Sequence, residues 1–391
     1  MNDAADVNRR SSRGLVAQGY EPVRNQLDAY LLSDPAFSAQ LSVYHRGEHV
    51  VDLVGGPDLD EDSITGVHSV SKGVAGVTFA TLVKAGVIDV DAPVAEYWPE
   101  FGAAGKDRIL VRELLSHQAG LVNAPGGLTR DEIIDSARGA ERLAATSPLW
   151  APGSASGYHA VTIGILLEEL VRRVTGDTLQ NLYETRIRAP RSIDFWLGLP
   201  EDEEHRFRTV LPMVPTPQQH AEMQARQFGP DSITAHAFNL VREGGEGSIE
   251  DVSPNHRDLR AAGFASGGGI GSADGLARVY AAALESGGDA LLDEATIETM
   301  SRQQTWGEDR VLGVTMSFGV VFMRPQPRME FGSYRAFGHD GAGGALGFAD
   351  PLYDLAFGYI PLPMQYPGGA DPKAVVLSQL VRQCVRQADL S

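Results

Sequence analysis

The apolar positions near the start of the chain change from a helical spacing to an alternating one. Residues 18–33 carry apolar side chains three and four positions apart, which predicts a first helix. Two alternating segments, 40–45 and 49–54, then flank Arg-Gly-Glu at 46–48. Such segments on either side of a glycine-containing loop predict a β-hairpin, here with a three-residue loop.

Residues 74–83 form the next conspicuous segment, because they are apolar on nearly every side. A helix with that pattern is buried rather than laid on a surface. Residues 91–263 are predicted to be mainly helical, with long connections, and their clearest helix is 162–174, which Gly176 ends. Within this part, residues 200–260 are polar and irregular, which is typical of a segment that borders a substrate site.

The last third of the chain returns to strands. Its pattern predicts a helix at 273–284 and a final helix at 373–388. Between them lie four strand candidates, at 316–322, 335–339, 345–349 and 355–360. Strands towards both ends with helices between them predict an α+β fold, in which residues 1–90 and 264–391 form a sheet domain and residues 91–263 a mainly helical inserted domain.

The composition narrows the classes of protein. Acidic residues outnumber basic ones by 51 to 33, a formal net charge of −18 over 391 residues. We expect no nucleic-acid partner, because such a surface repels phosphate and no dense Lys/Arg cluster is present. The single cysteine, Cys384, excludes an intramolecular disulfide. Residues 1–14 lack the apolar stretch of a signal peptide, and no apolar segment is long enough to cross a membrane, so a cytoplasmic protein without a membrane partner is expected.

Lysine is scarce, and one lysine follows a serine at the start of the buried helix. Of the four lysines in the chain, Lys72 comes three positions after Ser69, a spacing that places both side chains on one face. Burial and the positive end of the helix both disfavour an ammonium, so we expect a lowered pKa for Lys72 and a base for Ser69. Ser71 is predicted to face elsewhere. The same spacing also fits a structural alternative, in which Ser69 caps the helix and the side chain of Lys72 extends to solvent.

Two later segments supply further candidates. Residues 152–158 form a turn-rich stretch that presents Tyr158 just before the clearest helix. Residues 338–344 join two predicted strands, and their glycines allow the backbone to approach a ligand closely.

The order of these three segments resembles that of serine hydrolases with the class C β-lactamase fold, and is most similar to that of family VIII carboxylesterases. Ser-x-x-Lys with a later Lys-Thr-Gly-type triplet is a pattern of β-lactamases and penicillin-binding proteins. Residues 114–121 and the glycines at 267–269 also resemble the family, so the resemblance covers about residues 37–385. It implies a β-lactamase/penicillin-binding-protein-like fold, with an antiparallel sheet flanked by helices and a mainly helical inserted domain.

The resemblance also implies a role for each matched residue. Ser69 would be the nucleophile that accepts the acyl group, and Lys72 and Tyr158 would share the transfer of its proton. The backbone N–H groups of Ser69 and Ala342 would form the oxyanion hole. No cofactor and no metal are implied.

Two departures from the family pattern bear on the substrate. The Tyr-x-Asn of β-lactamases is Tyr-His-Ala at 158–160, and Lys-Thr-Gly is His-Asp-Gly at 339–341. A titratable imidazole thereby replaces the fixed cation that would hold a substrate carboxylate. His339 and Gly341 are expected in the substrate site, where His339 either touches the substrate or supports its strand. A small neutral ester is therefore favoured over an anionic β-lactam.

The other candidates are expected to have structural roles. A metal role for His45 and His49 requires helical spacing, which the predicted hairpin removes. His117 is expected to support the loop ahead of the helical domain. Three tryptophans are expected in the core, with an acyl or alcohol pocket as the alternative: Trp150, Trp196 and Trp306.

Three functions remain open. The first is a serine carboxylesterase that hydrolyses short-chain esters through an acyl-enzyme on Ser69, with a small-molecule ester as its only expected partner. The second, on the same fold, is a β-lactamase, a D-amino-acid peptidase, or an amide hydrolase or acyltransferase. The third is a non-catalytic binding protein, against which the joint presence of Ser69, Lys72 and Tyr158 argues. The sequence does not indicate an oligomeric state.

Overall fold

A six-stranded antiparallel sheet, in the order β1-β3-β2-β14-β13-β12, carries the fold. The computed structural model describes residues 11–226, 228–242, 245–285, 290–369 and 371–388. Most of the polar segment predicted at 1–14 lies outside the described residues. The strands are β1 (Arg13–Val16), β2 (Ser38–His45), β3 (Glu48–Gly55), β4 (Ile64–Gly66), β5 (Phe195–Leu197), β6 (Phe207–Arg208), β7 (Val241–Arg242), β8 (Gly245–Glu246), β9 (Gly269–Gly271), β10 (Thr305–Glu308), β11 (Thr315–Phe318), β12 (Phe337–Asp340), β13 (Leu346–Asp350) and β14 (Leu355–Leu362).

The helices cover both faces of this sheet and fill the middle of the chain. They are α1 (Glu21–Ser33), α2 (Val70–Lys84), α3 (Val94–Tyr97), α4 (Val111–Leu115), α5 (Arg130–Ile134), α6 (Ser136–Ala145), α7 (Thr162–Thr175), α8 (Leu179–Tyr183), α9 (Ala189–Arg191), α10 (Pro217–Ala225), α11 (Ile233–Ala237), α12 (Arg257–Ala262), α13 (Ala273–Leu284), α14 (Glu294–Ser301) and α15 (Pro372–Ala388). A π-helical turn, Glu184–Arg188, joins α8 to α9, and the 3-10 turns are Pro99–Gly102, Glu201–Arg206 and Ile249–Val252.

The two ends of the chain meet in the middle of the sheet, where β2 pairs with β14. Helices α1 and α15 pack together against one face, with Leu27 and Val381 in the same core as Leu41 and Phe357. Helix α13 packs against β2, β13 and β14 on the other face, and α2 contacts β12 and β13. The sheet is therefore buried on both sides, which accounts for strands such as β14 that are buried along their whole length.

The predicted hairpin is present, but its loop has two residues rather than three. Arg46 and Gly47 connect β2 to β3, and Glu48 already belongs to β3. Both loop residues have positive φ, +53° and +75°. Two central residues with positive φ give a turn whose twist matches that of the paired strands, which is why the shorter loop closes the hairpin.

The predicted strand at 316–322 is too long, because β11 ends at Phe318. Val321 has a φ of +68°, a conformation outside the extended region that a β-branched side chain rarely adopts. The backbone N–H of Val321 donates to the carbonyl of Leu115, 2.7 Å away, which holds the segment after β11 against α4. The other strands after residue 330, and the helices predicted at 162–174, 273–284 and 373–388, lie within two residues of their predicted bounds.

A smaller sheet in the order β5-β9-β4-β6 connects the middle of the chain to the segments on either side of it. Its pairs are antiparallel except for β4 with β6. Because β4 lies just before α2, this sheet holds the backbone that leads into Ser69. Within the described residues, no helix is long and apolar enough to span a membrane.

Lys106 is fully buried, and its contacts indicate a structural role. Its Nζ donates to the carbonyl oxygens of Ala103 (2.7 Å), Ala144 (2.9 Å) and Thr146 (2.7 Å). We expect Lys106→Met to lower the free energy of unfolding by about 3 kcal/mol, because buried carbonyls lose their donor. Urea unfolding followed by circular dichroism measures this loss. Lys84→Met, at an exposed lysine, serves as the control, and an unchanged midpoint for Lys106→Met would contradict the prediction.

Candidate active site

Ser69 and Lys72 lie together at the start of α2. Ser69 immediately precedes the helix, and a distance of 3.0 Å joins Lys72 Nζ to Ser69 Oγ. The shared face predicted from their spacing is therefore present. Ser71 faces elsewhere, as predicted: its hydroxyl donates to the carbonyl of His68 and accepts from the N–H of Gly269 at 2.8 Å.

Lys72 is buried in a way that favours its neutral form. Only 1% of the residue is exposed, and its Nζ donates to the carbonyl oxygen of Ser266 at 2.7 Å. Burial lowers the pKa of Lys72 to about 7, although the carboxylate of Asp340 acts in the opposite direction. Near neutral pH a large fraction of this amine is thus unprotonated and able to accept a proton from Ser69.

Tyr158 completes the group around Ser69. The hydroxyl of Ser69 lies near enough to that of Tyr158 to act against the rise in the tyrosine's pKa, and Lys72 Nζ lies 5.1 Å from the centre of the tyrosine ring. Burial raises the pKa of Tyr158 well above its usual value, so its hydroxyl is a neutral phenol. The arrangement favours Lys72 as the base and Tyr158 as a neutral hydroxyl that relays or returns a proton.

Asp309 fixes the backbone of Tyr158, and sequence reasoning missed it. Its Oδ1 accepts the N–H groups of Tyr158 (3.0 Å), Val311 (2.9 Å) and Leu312 (3.0 Å). Asp309 is fully buried and is distant from Tyr158 in the sequence. No local pattern marks it, because an aspartate that accepts backbone N–H groups looks like any loop aspartate.

His117 and His159 support the loop that leads to Tyr158. The structural role predicted for His117 is therefore present, but at this loop rather than ahead of the helical domain. His117 Nδ1 accepts the N–H of His159 at 3.1 Å, and its ring packs 5.0 Å from that of Tyr158. His159 Nε2 accepts the N–H of Leu121 at 3.0 Å, so its Nδ1 donates to the carbonyl of Gly157 at 2.7 Å. Burial lowers the pKa of both imidazoles, that of His159 to about 4, and both are neutral supports.

His339 on β12 is buried beside the catalytic group and is neutral. Its Nδ1 donates to the carbonyl oxygen of Asp340 at 2.7 Å, and its ring centre lies 6.1 Å from that of Tyr158. Burial, followed by the charge of Lys72, lowers the pKa of His339 to about 4. At neutral pH this position therefore carries no positive charge.

The turn after β12 brings its backbone close to Ser69. A Cβ at Gly341 would lie 2.2 Å from the carbonyl oxygen of Val67, so only glycine allows this approach. Ala342, the next residue, lines the same cleft as Ser69. Among the described residues, neither the N–H of Ser69 nor that of Ala342 donates a hydrogen bond to another group of the protein. Both amides are available to an oxyanion.

A narrow cleft opens over Ser69. Its cavity volume is about 40 Å³, room for about three water molecules. It is lined by His68, Ser69, Ala160, Val161, Phe238, Val252, Phe264, Ser266, Gly267 and Ala342. Phe238 and Val252 come from the polar stretch that the sequence predicted to border the site.

Other candidates lie outside this cleft. None of Trp150, Trp196 and Trp306 lines it. Trp150 and Trp196 are buried as expected, but the core prediction is wrong for Trp306, which is 56% exposed. Two larger surface clefts, of about 340 and 590 Å³, lie near the hairpin turn and the end of α2, away from Ser69. His45 and His49 are hydrogen-bonded to Tyr20 and Ser42, respectively, at 2.9 Å. Within the described residues no group of three or more His, Cys, Asp or Glu side chains is placed to hold a metal.

The chain is similar to known proteins along most of its length. The family model described as Beta-lactamase matches residues 27–361. The structure of EstA from Arthrobacter nitroguajacolicus Rue61a has a TM-score of 0.88 at 48% identity and covers 96% of this chain and 98% of its own. That of a family VIII carboxylesterase has a TM-score of 0.84 at 31% identity and covers 96% and 100%. Esterase/beta-lactamase LipL of Mycobacterium tuberculosis is 32% identical over 374 residues, 89% of this chain and 82% of LipL.

These matches confirm two predictions from the sequence, the resemblance to family VIII carboxylesterases and the β-lactamase/penicillin-binding-protein-like fold. The matched family model spans most of the chain, from α1 to β14. The chain therefore belongs to the beta-lactamase family and is a serine hydrolase.

Proposed function

We propose that this protein is a serine carboxylesterase that hydrolyses small neutral esters with short acyl chains through an acyl-enzyme on Ser69. The observation that carries the proposal is the contact of 3.0 Å between Ser69 Oγ and the buried Nζ of Lys72, whose pKa is lowered to about 7. The similarity to LipL, an esterase/beta-lactamase, and to a family VIII carboxylesterase supports an activity towards esters.

Acylation begins with proton transfer from Ser69 Oγ to Lys72 Nζ. As the proton leaves, Oγ forms a bond to the ester carbonyl carbon, and the carbonyl oxygen becomes an oxyanion facing the N–H groups of Ser69 and Ala342. Collapse of this intermediate re-forms the carbonyl and breaks the bond to the alkoxy oxygen. The departing alcohol takes one proton, delivered from the Lys72 ammonium through the hydroxyl of Tyr158. Lys72 is then neutral again.

Deacylation repeats these steps with water as the nucleophile. Water gives one proton to Lys72 and its oxygen bonds to the acyl carbon, which forms a second oxyanion. Collapse breaks the bond between the acyl carbon and Ser69 Oγ. Ser69 recovers its proton, and the free carboxylic acid leaves.

Charge and size both favour a small neutral ester. His339 is neutral, so the position that carries a lysine in β-lactamases offers no fixed cation to a substrate carboxylate. The cleft over Ser69, about 40 Å³, has an apolar wall formed by Phe238, Val252 and Phe264. Such a space accepts a short acyl chain and excludes a long one.

Mass spectrometry of the intact protein tests this proposal. The protein is mixed with p-nitrophenyl esters of increasing acyl length, with nitrocefin and with D-alanyl peptides, and is quenched within seconds. We expect the intact mass to increase by that of a short acyl group, which digestion then places on the peptide that contains Ser69, with turnover only for the esters. Preferential turnover of nitrocefin or the peptides would favour an amide-directed enzyme, and the absence of any adduct and any turnover would favour a binding protein.

Replacement of Phe238 in the apolar wall is expected to change the preference for acyl-chain length. Phe238→Ala enlarges the cleft, so we expect the ratio of kcat/KM for an octanoate ester to that for a butyrate ester to rise by about tenfold. This is the effect of burying about two of the additional methylenes, at about 0.8 kcal/mol each. Kinetics with the two p-nitrophenyl esters measure the ratio. Tyr334→Ala, which removes an aromatic side chain that is 74% exposed, is the control. An unchanged ratio in Phe238→Ala would show that this residue does not contact the acyl chain.

A further inference from the structure

The carbonyl group that accepts a hydrogen bond from Lys72 belongs to a loop that also lines the cleft over Ser69. The carbonyl oxygen of Ser266 accepts a hydrogen bond from Lys72 Nζ at 2.7 Å, and the same amine donates to Ser69 Oγ. Ser266 lies in residues 263–267, which we name the 263–267 loop, between α12 and β9. A lysine side chain has four rotatable bonds, so the position of its amine depends on what its N–H groups bind. The place of the 263–267 loop therefore decides where Nζ lies.

The side chain of Ser266 attaches this loop to the first turn of α7. Its Oγ donates to the carbonyl of Val161 at 2.6 Å and accepts the N–H of Gly164 at 2.8 Å. The first N–H groups of a helix have no acceptor within the helix, so Ser266 caps α7 from outside it. A Cβ at Gly164 would lie 2.5 Å from Ser266 Oγ, and glycine is therefore needed for this contact.

Glu168, one turn further along α7, attaches the loop at a second position. Its Oε1 accepts the N–H of Ala265 at 2.7 Å and the side-chain amide of Gln180 at 3.1 Å. Gln180 also donates to the carbonyl of Gly263 at 3.1 Å. Glu168 is a buried carboxyl group, and the proposed reaction gives it no chemical step. Its contact instead fixes the peptide group between Phe264 and Ala265, one residue before Ser266.

We propose that Ser266 and Glu168 are positioning residues for the general base, acting through the 263–267 loop to hold Lys72 Nζ within hydrogen-bond distance of Ser69 Oγ. This inference rests on the proposed function, because it concerns the base of that reaction. Neither side chain touches the reacting atoms. Their effect is on the rate of proton transfer, which depends steeply on distance, since a misplacement of about 1 Å costs about a hundredfold in rate.

Two variants test the inference, Ser266→Ala and Glu168→Leu. Each removes one attachment of the loop and leaves Ser69, Lys72 and Tyr158 in place. We expect kcat for a short ester to fall by about ten- to a hundredfold, with KM changed by less than about threefold. Glu168→Gln keeps an oxygen that accepts from Ala265, and we expect it to restore the rate to within about threefold of the wild type. Thr175→Val, which removes hydrogen bonds at the other end of α7, is the matched control.

Labelling with a fluorophosphonate separates positioning from loss of folded protein. In this reaction Ser69 Oγ forms a bond to phosphorus, fluoride departs, and the serine proton goes to Lys72. A purely structural role would lower the final fraction of labelled protein and leave the labelling rate of the remaining sites unchanged. We expect the reverse for Ser266→Ala and Glu168→Leu: full final labelling at a rate reduced by about ten- to a hundredfold.

The outcomes distinguish this inference from the proposed function. Wild-type labelling rates in both variants, or loss of final labelling alone, would overturn the positioning role. Labelling does not depend on an ester substrate. A wild-type protein that is labelled at Ser69 but hydrolyses no ester would therefore contradict the proposed function. The labelling rates of the variants would still decide the positioning role. Ser266→Ala removes a single oxygen and supplies the rates if Glu168→Leu does not fold.

Discussion

Replacement of Ser69 by alanine is expected to lower kcat/KM for every ester by about ten-thousandfold or more, because no other group can form the acyl-enzyme. Binding of the substrate depends on the cleft rather than on the hydroxyl, so an ester should still compete for the site. The measurement is steady-state hydrolysis of a short p-nitrophenyl ester, together with fluorophosphonate labelling. The same substitution should abolish the label.

Ser378→Ala is the control for this experiment. Ser378 is a fully buried serine in α15, where its hydroxyl donates to the carbonyl of Val375 at 2.8 Å, on the face of the sheet opposite α2. Its loss removes a hydroxyl of the same kind without approaching the cleft. Ester hydrolysis by Ser69→Ala at a rate comparable to that of Ser378→Ala would show that Ser69 is not the nucleophile.

Lys72 is expected to give the wild-type enzyme an activity that increases with pH through a midpoint near 7. The amine must be neutral to accept the serine proton, and burial lowers its pKa to about 7, so activity is low below this pH and full above it. In Lys72→Arg the guanidinium keeps its proton throughout this range. We expect kcat/KM to fall by about a thousandfold and the rise with pH to disappear. Rate measurements between pH 5 and 9 supply both results.

The neighbouring titratable groups do not give the same profile. The pKa of His339 is lowered to about 4, and that of Tyr158 is raised well above its usual value, so neither changes charge near pH 7. Lys84→Arg, at the exposed end of the same helix, should keep the wild-type profile. A flat wild-type profile across this range, or a Lys72→Arg variant with wild-type rates, would exclude Lys72 as the base.

The parts of the site that depend on local geometry could be predicted from the sequence. Ser69 and Lys72 share a face because a helix places positions i and i+3 together, and this needs no knowledge of the rest of the fold. The burial of α2 followed in the same way from its apolar pattern. The family resemblance then supplied Tyr158 and the turn at Ala342, which local pattern alone would not have joined to Ser69.

The parts that depend on distant contacts could not be predicted. Ser266, Glu168 and Asp309 are ordinary polar residues in their own segments, and the side chain of each binds a backbone group far away in the sequence. The apolar wall could not be predicted either, because Phe238 lies in a stretch that is polar overall. The early end of β11 also has a distant cause, because Leu115 holds the segment at Val321.

The pairing of β2 with β14 determines when this enzyme can first work during its synthesis. The ribosome releases β2 and the largely apolar α2 long before β12, β13 and β14, which supply the neighbouring strand and part of the packing surface. Until then the growing chain presents an open strand edge and an uncovered apolar helix, features that chaperones bind and that promote aggregation. Contacts between such distant segments also form slowly. We therefore expect the proposed ester hydrolysis to begin only after the C-terminal strands have emerged and closed the sheet.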